Sequence, residues 1–398
     1  MKTTYLDNAA TSWPKAPGVL KAMSAYLTRG GGNPGRSGHR KSIDAGRLVL
    51  DARERLAELF NIKDPANLFF TKNATEALNI AIHGTLKPGE HAVTTSMEHN
   101  SVMRPLAHLA ARGVGLGVAE ALPSGSVPPE AVFREVRPNT RLVAVTHASN
   151  VTGAVNDIGA VGRFCSDRGI TFLVDAAQTA GVVPIDVERD RVDLLAFSGH
   201  KGLLGPPGTG ALYAREGGAL ETLLQGGTGS LSDREEQPAF LPDKFECGTL
   251  NTVGIAGLGA GVAFIGRFGM DRVLECDVLL LELLLEQLGG DDRFTIYGPV
   301  GTARRTGVVS LNIVGRSSSS VGETLDREFG VQTRVGLHCA PRAHRTIGTF
   351  PDGTVRLSWG VFTSEKDILR ACRALKRIAG SPGAGSRSAA RRGARGST

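Results

Sequence analysis

Between residues 65 and 215, short apolar runs alternate with amphipathic stretches. Leu68-Phe69-Phe70 leads into 75–83, residues 91–95 lead into 101–111, and 141–146 lead into 158–168; 170–174 and 192–197 are further apolar runs. Apolar β-type runs followed by helical periodicity predict βα units and a mostly parallel sheet. In such sheets ligands bind beyond the carboxyl ends of the strands. Chemistry is therefore to be sought in the residues that follow each run. Near residue 255 the pattern changes to a long helical region, 256–288, then shorter strands at 308–314 and 354–358 with helices at 320–329 and 365–378. The expected organisation is a large α/β domain over 1–255, whose first fifteen or so residues are free to pack with a smaller α+β domain over 256–380. The low-complexity stretch 381–398 is expected to be a disordered basic tail.

A chain of 398 residues holds cores for two such domains. Its net charge of +7 raises the possibility of a nucleic-acid partner. Four of those charges, Arg387, Arg391, Arg392 and Arg395, lie in the tail, and aromatic residues make up only 5%. Nucleic-acid binding is thus not expected. The five cysteines form no CxxC, so neither a disulfide framework nor a metal site is expected. The N-terminus lacks the apolar run of a signal peptide, and the apolar run 278–288 is broken by Glu282 and Glu286. A cytoplasmic protein with no membrane partner is expected.

Three strand ends carry candidate chemistry. Phe70 is followed by Thr71-Lys72-Asn73-Ala74-Thr75, a small polar loop opening a helix. Such a loop suits a phosphate, or is simply a helix cap at Asn73 or Thr75. The run Phe172-Leu173-Val174 ends in Asp175, with Gln178 three residues on. An apolar strand that delivers a carboxylate calls for a cation such as a protonated pyridine, or the carboxylate caps the next turn. The run ending at Phe197 continues Ser198-Gly199-His200-Lys201, placing a lysine at the same edge, where partial desolvation makes it a usable amine. A lysine, an acid and a phosphate loop are what pyridoxal 5′-phosphate (PLP) requires.

With these motifs in hand, the chain resembles the class V aminotransferase family of fold-type I PLP enzymes, especially its cysteine desulfurase branch. The resemblance runs from Tyr5-Leu6-Asp7-Asn8-Ala9-Ala10-Thr11 to Val355-Arg356-Leu357-Ser358 and includes Glu98-His99-Asn100, 147–153, 198–210 and Gly248-Thr249-Leu250-Asn251-Thr252. It implies a large domain with a mostly parallel, seven-stranded sheet. It implies that Lys201 is the Schiff-base lysine and proton shuttle, that Asp175 pairs with the pyridinium, and that Gln178 bonds the phenolic oxygen. His99 would stack on the ring and serve in acid–base steps. Asn73, Ala74, Thr75, Ser198 and His200 would hold the phosphate, and Thr249 would reach the phosphate of a partner subunit in a homodimer. Asn150 and Arg356 would hold the substrate carboxylate, a task suited to the planar fork of arginine.

The reaction type turns on Cys339, in Arg334-Val335-Gly336-Leu337-His338-Cys339-Ala340-Pro341. It aligns with the family's persulfide cysteine, and His338, Arg334 and Arg342 are neighbours that favour a thiolate. Cys165, Cys276 and Cys372 sit in amphipathic helical patterns and, with Cys247, are read as packing. The resemblance thus implies that L-cysteine is converted to L-alanine, with sulfur passing to Cys339 and on to an acceptor protein. About seventeen residues separate Cys339 from Arg356, a short loop similar to that of group II desulfurases. The run 337–344 is closer to a less characterised subgroup, which leaves selenocysteine open as a substrate. Two other readings remain: another class V lyase or aminotransferase with Cys339 structural, and a non-enzymatic scaffold in sulfur relay.

Overall fold

The computed structural model of the protein describes residues 3–35 and 37–381. Apart from Ser381, the expected basic tail lies outside the described residues. The strands, in chain order, are β1 (Thr4–Tyr5), β2 (Leu68–Thr71), β3 (His91–Thr95), β4 (Gly115–Ala119), β5 (Thr140–Thr146), β6 (Thr171–Asp175), β7 (Leu194–Ser198), β8 (Gly210–Ala214), β9 (Phe294–Tyr297), β10 (Val308–Ile313), β11 (Val331–Gln332), β12 (Arg334–Gly336) and β13 (Thr354–Ser358).

Seven strands form one sheet in the order β2-β8-β7-β6-β5-β3-β4. The pairs from β7 to β4 are parallel, whereas β8 is antiparallel to both of its neighbours. The two reversals cancel, so β2 points the same way as β7. The carboxyl ends of β2, β3, β5, β6 and β7 therefore share one edge of the sheet. The register fixes which residues meet there: Thr71 pairs with Gly210 and Gly210 with Ser198, while Thr146 pairs with Asp175 and Asp175 with Ala196.

Alternate residues of the central strands feed opposite faces, as strand geometry requires. Phe70, Val93, Val143, Val145, Phe172, Val174 and Phe197 join one core, with residues of the helices Arg40–Phe60 and Ile158–Ser166. Phe69, Ala92, Leu142, Ala144, Leu173 and Ala196 join the core on the other face, under Ala74–Thr85 and Asn100–Ala110. Burial on both faces explains why these strands read as continuous apolar runs. The antiparallel β8, though apolar and buried along its length, and the edge strand β4 do not figure among the expected strands. Each begins with glycine, and at Gly210 an added Cβ would lie 2.7 Å from the Phe197 carbonyl and 2.8 Å from the Asn73 backbone.

The expected long helical region is in fact two helices, Thr252–Phe268 and Met270–Leu288, bent by 81° at Gly269, whose φ is +96°. A left-handed-side φ there favours glycine. The first helix gives Ile255, Leu258, Val262 and Ile265 to the sheet's core. The second gives Leu280, Leu281, Leu284 and Leu288 to a separate core shared with Val309, Leu311, Leu357 and Ile368. The change in pattern at residue 255 falls inside the first helix, and the switch between cores comes after Gly269. Among the described residues, no single helix is long and apolar enough to cross a membrane.

The second core lies against the antiparallel sheet β12-β13-β10-β9. The N-terminal segment also belongs to it: β1 pairs in parallel with β11, Leu6 is fully buried in that core, and Asp7 bridges to Ser358. Five residues later the same segment has crossed to the large sheet, where the Ser12 N–H donates to the His200 carbonyl at 2.9 Å.

Candidate active site

The strand-end rule brings the predicted acid and lysine together. Asp175 closes β6 and Lys201 follows β7, its hydrogen-bonded neighbour. Asp175 is buried, and its Oδ1 accepts from the Ala177 N–H at 2.9 Å, so the turn-capping reading is also realised. Burial holds its carboxyl above the ordinary range, an effect reduced by the Ala177 N–H and by Lys201. For Lys201 burial is again the largest influence and lowers the amine to about 8; Asp175 opposes that shift, while Arg356 and Arg334 add to it. An amine with this value is substantially neutral near pH 8 and so nucleophilic. Gln178 donates from Nε2 to the Ala9 carbonyl at 3.2 Å.

The phosphate-loop residues assemble beside them. Asn73 caps the helix Ala74–Thr85, its Oδ1 accepting from the Glu76 N–H at 3.0 Å. The Ala74 N–H donates to Ser198 Oγ at 2.9 Å, tying the loop to the end of β7. Thr75 is exposed and reaches Ser101 Oγ at 3.2 Å. His200 keeps a buried Nδ1 without a partner, and burial lowers its ring to about 4. His99 caps the helix Asn100–Ala110: its Nδ1 accepts from the Ser101 N–H at 3.1 Å. That bond puts the proton of the neutral ring on Nε2. Burial, reinforced by Lys201 and Arg334, holds His99 near 4, so it is neutral at physiological pH. Thr249 is not brought to this cradle. It is exposed on the loop before Thr252–Phe268, lining a cavity with Thr71, Lys72 and Gly208.

Arg356, on β13, is 1% exposed. Its Nη2 lies 2.8 Å from Asp7 Oδ1, its Nη1 donates to the Asn150 carbonyl at 3.1 Å, and its Nε is buried with no partner. Asn150 is also buried and donates from Nδ2 to the His338 carbonyl at 2.8 Å. The two residues expected to hold a carboxylate thus touch each other, with one guanidinium nitrogen, Nε, without a partner.

Cys339 sits on the tip of the connection between β12 and β13. The Ala340 N–H bonds the Leu337 carbonyl at 2.8 Å, and the two central residues, His338 and Cys339, have φ of +49° and +59°. That is the pattern of a type I′ turn, normally given to Asn-Gly. Left-handed backbone at a non-glycine residue costs about 1–2 kcal/mol. The large domain compensates from two sides, through Asn150 on the His338 carbonyl and through the Asn100 N–H on the Cys339 carbonyl at 2.9 Å. The thiol is exposed, and Arg334 Nη2 donates to it at 3.5 Å. The expectation that His338 lends positive charge is corrected here. Its ring is buried against Thr354 Oγ1 at 3.0 Å, and burial, then Arg356, lowers it to about 2, so it is neutral.

Cys165 and Cys372 are buried, and burial pushes their thiols up to about 12 and about 11. Cys247 is only half-buried and accepts from Gln237 Nε2 at 3.1 Å. Two site residues had no role in the sequence reading. One is Asp7, the partner of Arg356. The other is Glu98, fully buried beside His99, with Oε1 accepting from Thr95 Oγ1 at 2.7 Å and the Thr146 N–H at 2.9 Å. Burial raises its carboxyl to about 8. The available signal was an acid at the end of an apolar run, the same signal that marked Asp175.

Similarity to known proteins agrees with this geometry. The family model "Aminotransferase class-V" matches residues 4–370. A probable cysteine desulfurase of Methanothermobacter thermautotrophicus is 37% identical over 383 residues, covering 94% of each chain. A cysteine desulfurase of Salmonella dublin is 32% identical over 384 residues, covering 94% of this chain and 93% of that one. Among solved structures, the apo cysteine desulfurase of Thermococcus onnurineus superposes with a TM-score of 0.89 at 33% identity, covering 95% of this chain and 94% of that chain. The Escherichia coli cysteine desulfurase CsdA gives 0.84 at 26% identity, covering 94% of each.

Proposed function

The chain belongs to the aminotransferase class-V family and to its cysteine desulfurase branch, and from that premise we propose that it converts L-cysteine to L-alanine and carries the sulfur as a persulfide on Cys339. The family is PLP-dependent, and the residues here fit that cofactor. Lys201 offers a partly neutral amine for the aldehyde, and Asp175 a buried carboxylate for the pyridinium. The Asn73–Thr75 helix start, Ser198 and the unpartnered His200 Nδ1 offer donors for the phosphate. When bound, PLP supplies the electron sink that makes the substrate's α-proton removable.

The chain's own residues do the rest. Arg356 and Asn150 bind the substrate carboxylate. Lys201 Nζ takes the α-proton. The Cys339 thiolate attacks the substrate sulfur: an S–S bond forms, the substrate Cβ–S bond breaks, and its electron pair stays with the carbon skeleton. Protonation of that skeleton gives alanine, so the step needs no external oxidant. His99, neutral with its proton on Nε2, has a proton to offer on the other side of the site. Arg334 provides a cationic donor to the Cys339 sulfur.

The observation that carries this reading is the turn at Cys339. A non-glycine type I′ turn, anchored through Asn100 and Asn150, presents an exposed thiol within electrostatic reach of both Lys201 and Arg356. The shortness of the loop favours delivery to a docked acceptor protein, and the family resemblance favours a homodimer in which Thr249 serves the partner's phosphate.

Anaerobic incubation of the purified PLP-loaded protein with L-cysteine tests it. Stoichiometric alanine together with a +32 Da mass (one sulfur atom) on the Cys339 peptide is expected. Formation of alanine with no sulfur on Cys339, or no alanine at all, refutes the assignment.

A further inference from the structure

The N-terminal motif Leu6-Asp7-Asn8 supplies a carboxylate that the proposed reaction leaves unused. Asp7 Oδ1 lies 2.8 Å from Arg356 Nη2; the guanidinium side chain is 1% exposed and the carboxylate 23%. Among the described residues Asp7 is the acidic side chain paired with Arg356, while Arg334, Lys201, the Cys339 thiol, His99, His338 and Tyr5 are ionisable groups acting around it. The backbone that carries this carboxylate is fixed. Asp7 bridges Ser358, two residues beyond Arg356 on β13, and its carbonyl accepts from the Ala10 N–H and Tyr5 OH, both at 3.1 Å.

A buried guanidinium is costly unless a counterion goes with it. Asp7 provides that counterion before any substrate arrives. Resting on the reading of Arg356 as the substrate's carboxylate clamp, we propose that Asp7 is a specificity-determining residue, a resident competitor that occupies Arg356 and lowers its affinity for incoming carboxylates. An arriving carboxylate meets an ion pair of near-zero net charge and gains chiefly from the guanidinium N–H groups that Asp7 and the Asn150 carbonyl do not take. Simple carboxylates, which have nothing else to offer, are thereby held off. An amino acid, whose amine engages the Lys201 side of the site, still binds. Removing the Asp7 charge leaves a buried unpaired cation, which any carboxylate then neutralises.

The test uses PLP-loaded wild type, Asp7→Asn, Asp7→Glu and Arg356→Lys, titrated calorimetrically with propionate and with L-alanine, with Tm measured at each ligand concentration. Asp7→Asn is expected to bind propionate about tenfold or more tightly than wild type, in line with coupling between close charge pairs, and L-alanine by a smaller factor, so that discrimination between the two narrows. It is also expected to have a lower ligand-free Tm and a larger ligand-induced rise. Asp7→Glu, which moves the carboxylate by one methylene, is expected to show an intermediate gain, and it carries the test should Asp7→Asn not fold. Affinities equal to or weaker than wild type in the folded variants overturn the proposal and make Asp7 an orienting group only. Arg356→Lys is expected to lose affinity for both ligands, because the bidentate fork is gone. Wild-type affinity in Arg356→Lys instead refutes the clamp reading itself, an outcome distinct from the failure of the Asp7 proposal.

Discussion

In the proposed reaction Lys201 and Cys339 approach the same substrate from opposite kinds of scaffold. Lys201 follows a fully buried strand in the middle of a seven-stranded sheet, and its surroundings tune the amine. Cys339 stands exposed on a turn of two left-handed residues between short strands, held to the large domain by single hydrogen bonds through Asn100 and Asn150. The difference follows from what each group must do. A base returns its proton to the atom next to it, so a rigid, dry mount serves it. A nucleophile that must pass its cargo to another protein needs an exposed mount, and strain at such a turn keeps one geometry only while its anchors hold.

The largest way to break the comparison is on the rigid side. Lys201→Ala is expected to reduce alanine formation by about 10²–10⁴-fold or more, and to abolish the absorbance change seen when PLP is added to the cofactor-free protein. Cys339→Ser comes next: persulfide formation disappears, while the spectral response to PLP stays that of wild type. A change in both readouts would make the turn part of the cofactor site. Asn150→Ala removes the anchor on the His338 carbonyl, while the backbone carbonyl that accepts from Arg356 stays in place. Loss of a buried partner costs about 1–3 kcal/mol, so persulfide formation monitored by mass spectrometry should slow by about 10–100-fold with PLP binding retained.

Two pH experiments sharpen the contrast. The Lys201 amine, lowered from 10.5 to about 8, should give cofactor-free protein an aldehyde-capture rate that rises through pH 8. A midpoint near 10.5 would show the mount leaves the amine unaltered. Between those values the unfolded chain binds the extra proton, so this group makes stability rise with pH across that window. Glu98 acts in the opposite sense. Its carboxyl is raised from 4.5 to about 8, so its contribution to stability is present below pH 4.5 and is lost as pH rises through 8. Glu98→Gln is expected to flatten that decline, leaving stability close to wild type below pH 4.5 and raising it at pH 7. Urea unfolding at several pH values measures both.

The strands most legible in the sequence were those buried on both faces: 91–95 and 354–358 match β3 and β13 residue for residue. Asp175 and Lys201 were legible for the same reason, since a polar residue at the end of an apolar run stands out. Strand β8 was not legible because its glycine start reflects close packing on Asn73 rather than a turn. The bend at Gly269 was hidden because the apolar periodicity continues through it while the core it serves changes. The Asp7–Arg356 pair joins positions 349 apart, and no local pattern encodes a partner at that distance. The burial of His338, which removes its expected charge, depends on how the turn folds back on Thr354 and is equally invisible to spacing.

The N-terminal strand has a consequence for how the chain is made. It is synthesised hundreds of residues before its partners β11 and Ser358. Until then Leu6, which ends fully buried, remains without its core. The large sheet is complete by residue 214 and needs no such wait. Closure of the small core is therefore a late, long-loop event, slow by topology and exposed to mispairing meanwhile. Because the same segment carries Asp7 to Arg356 and Ser12 to the His200 carbonyl, a chain stalled before β13 would hold a folded sheet with an unassembled substrate clamp. Synthesis of β13 is, in effect, the step that lets the proposed clamp assemble.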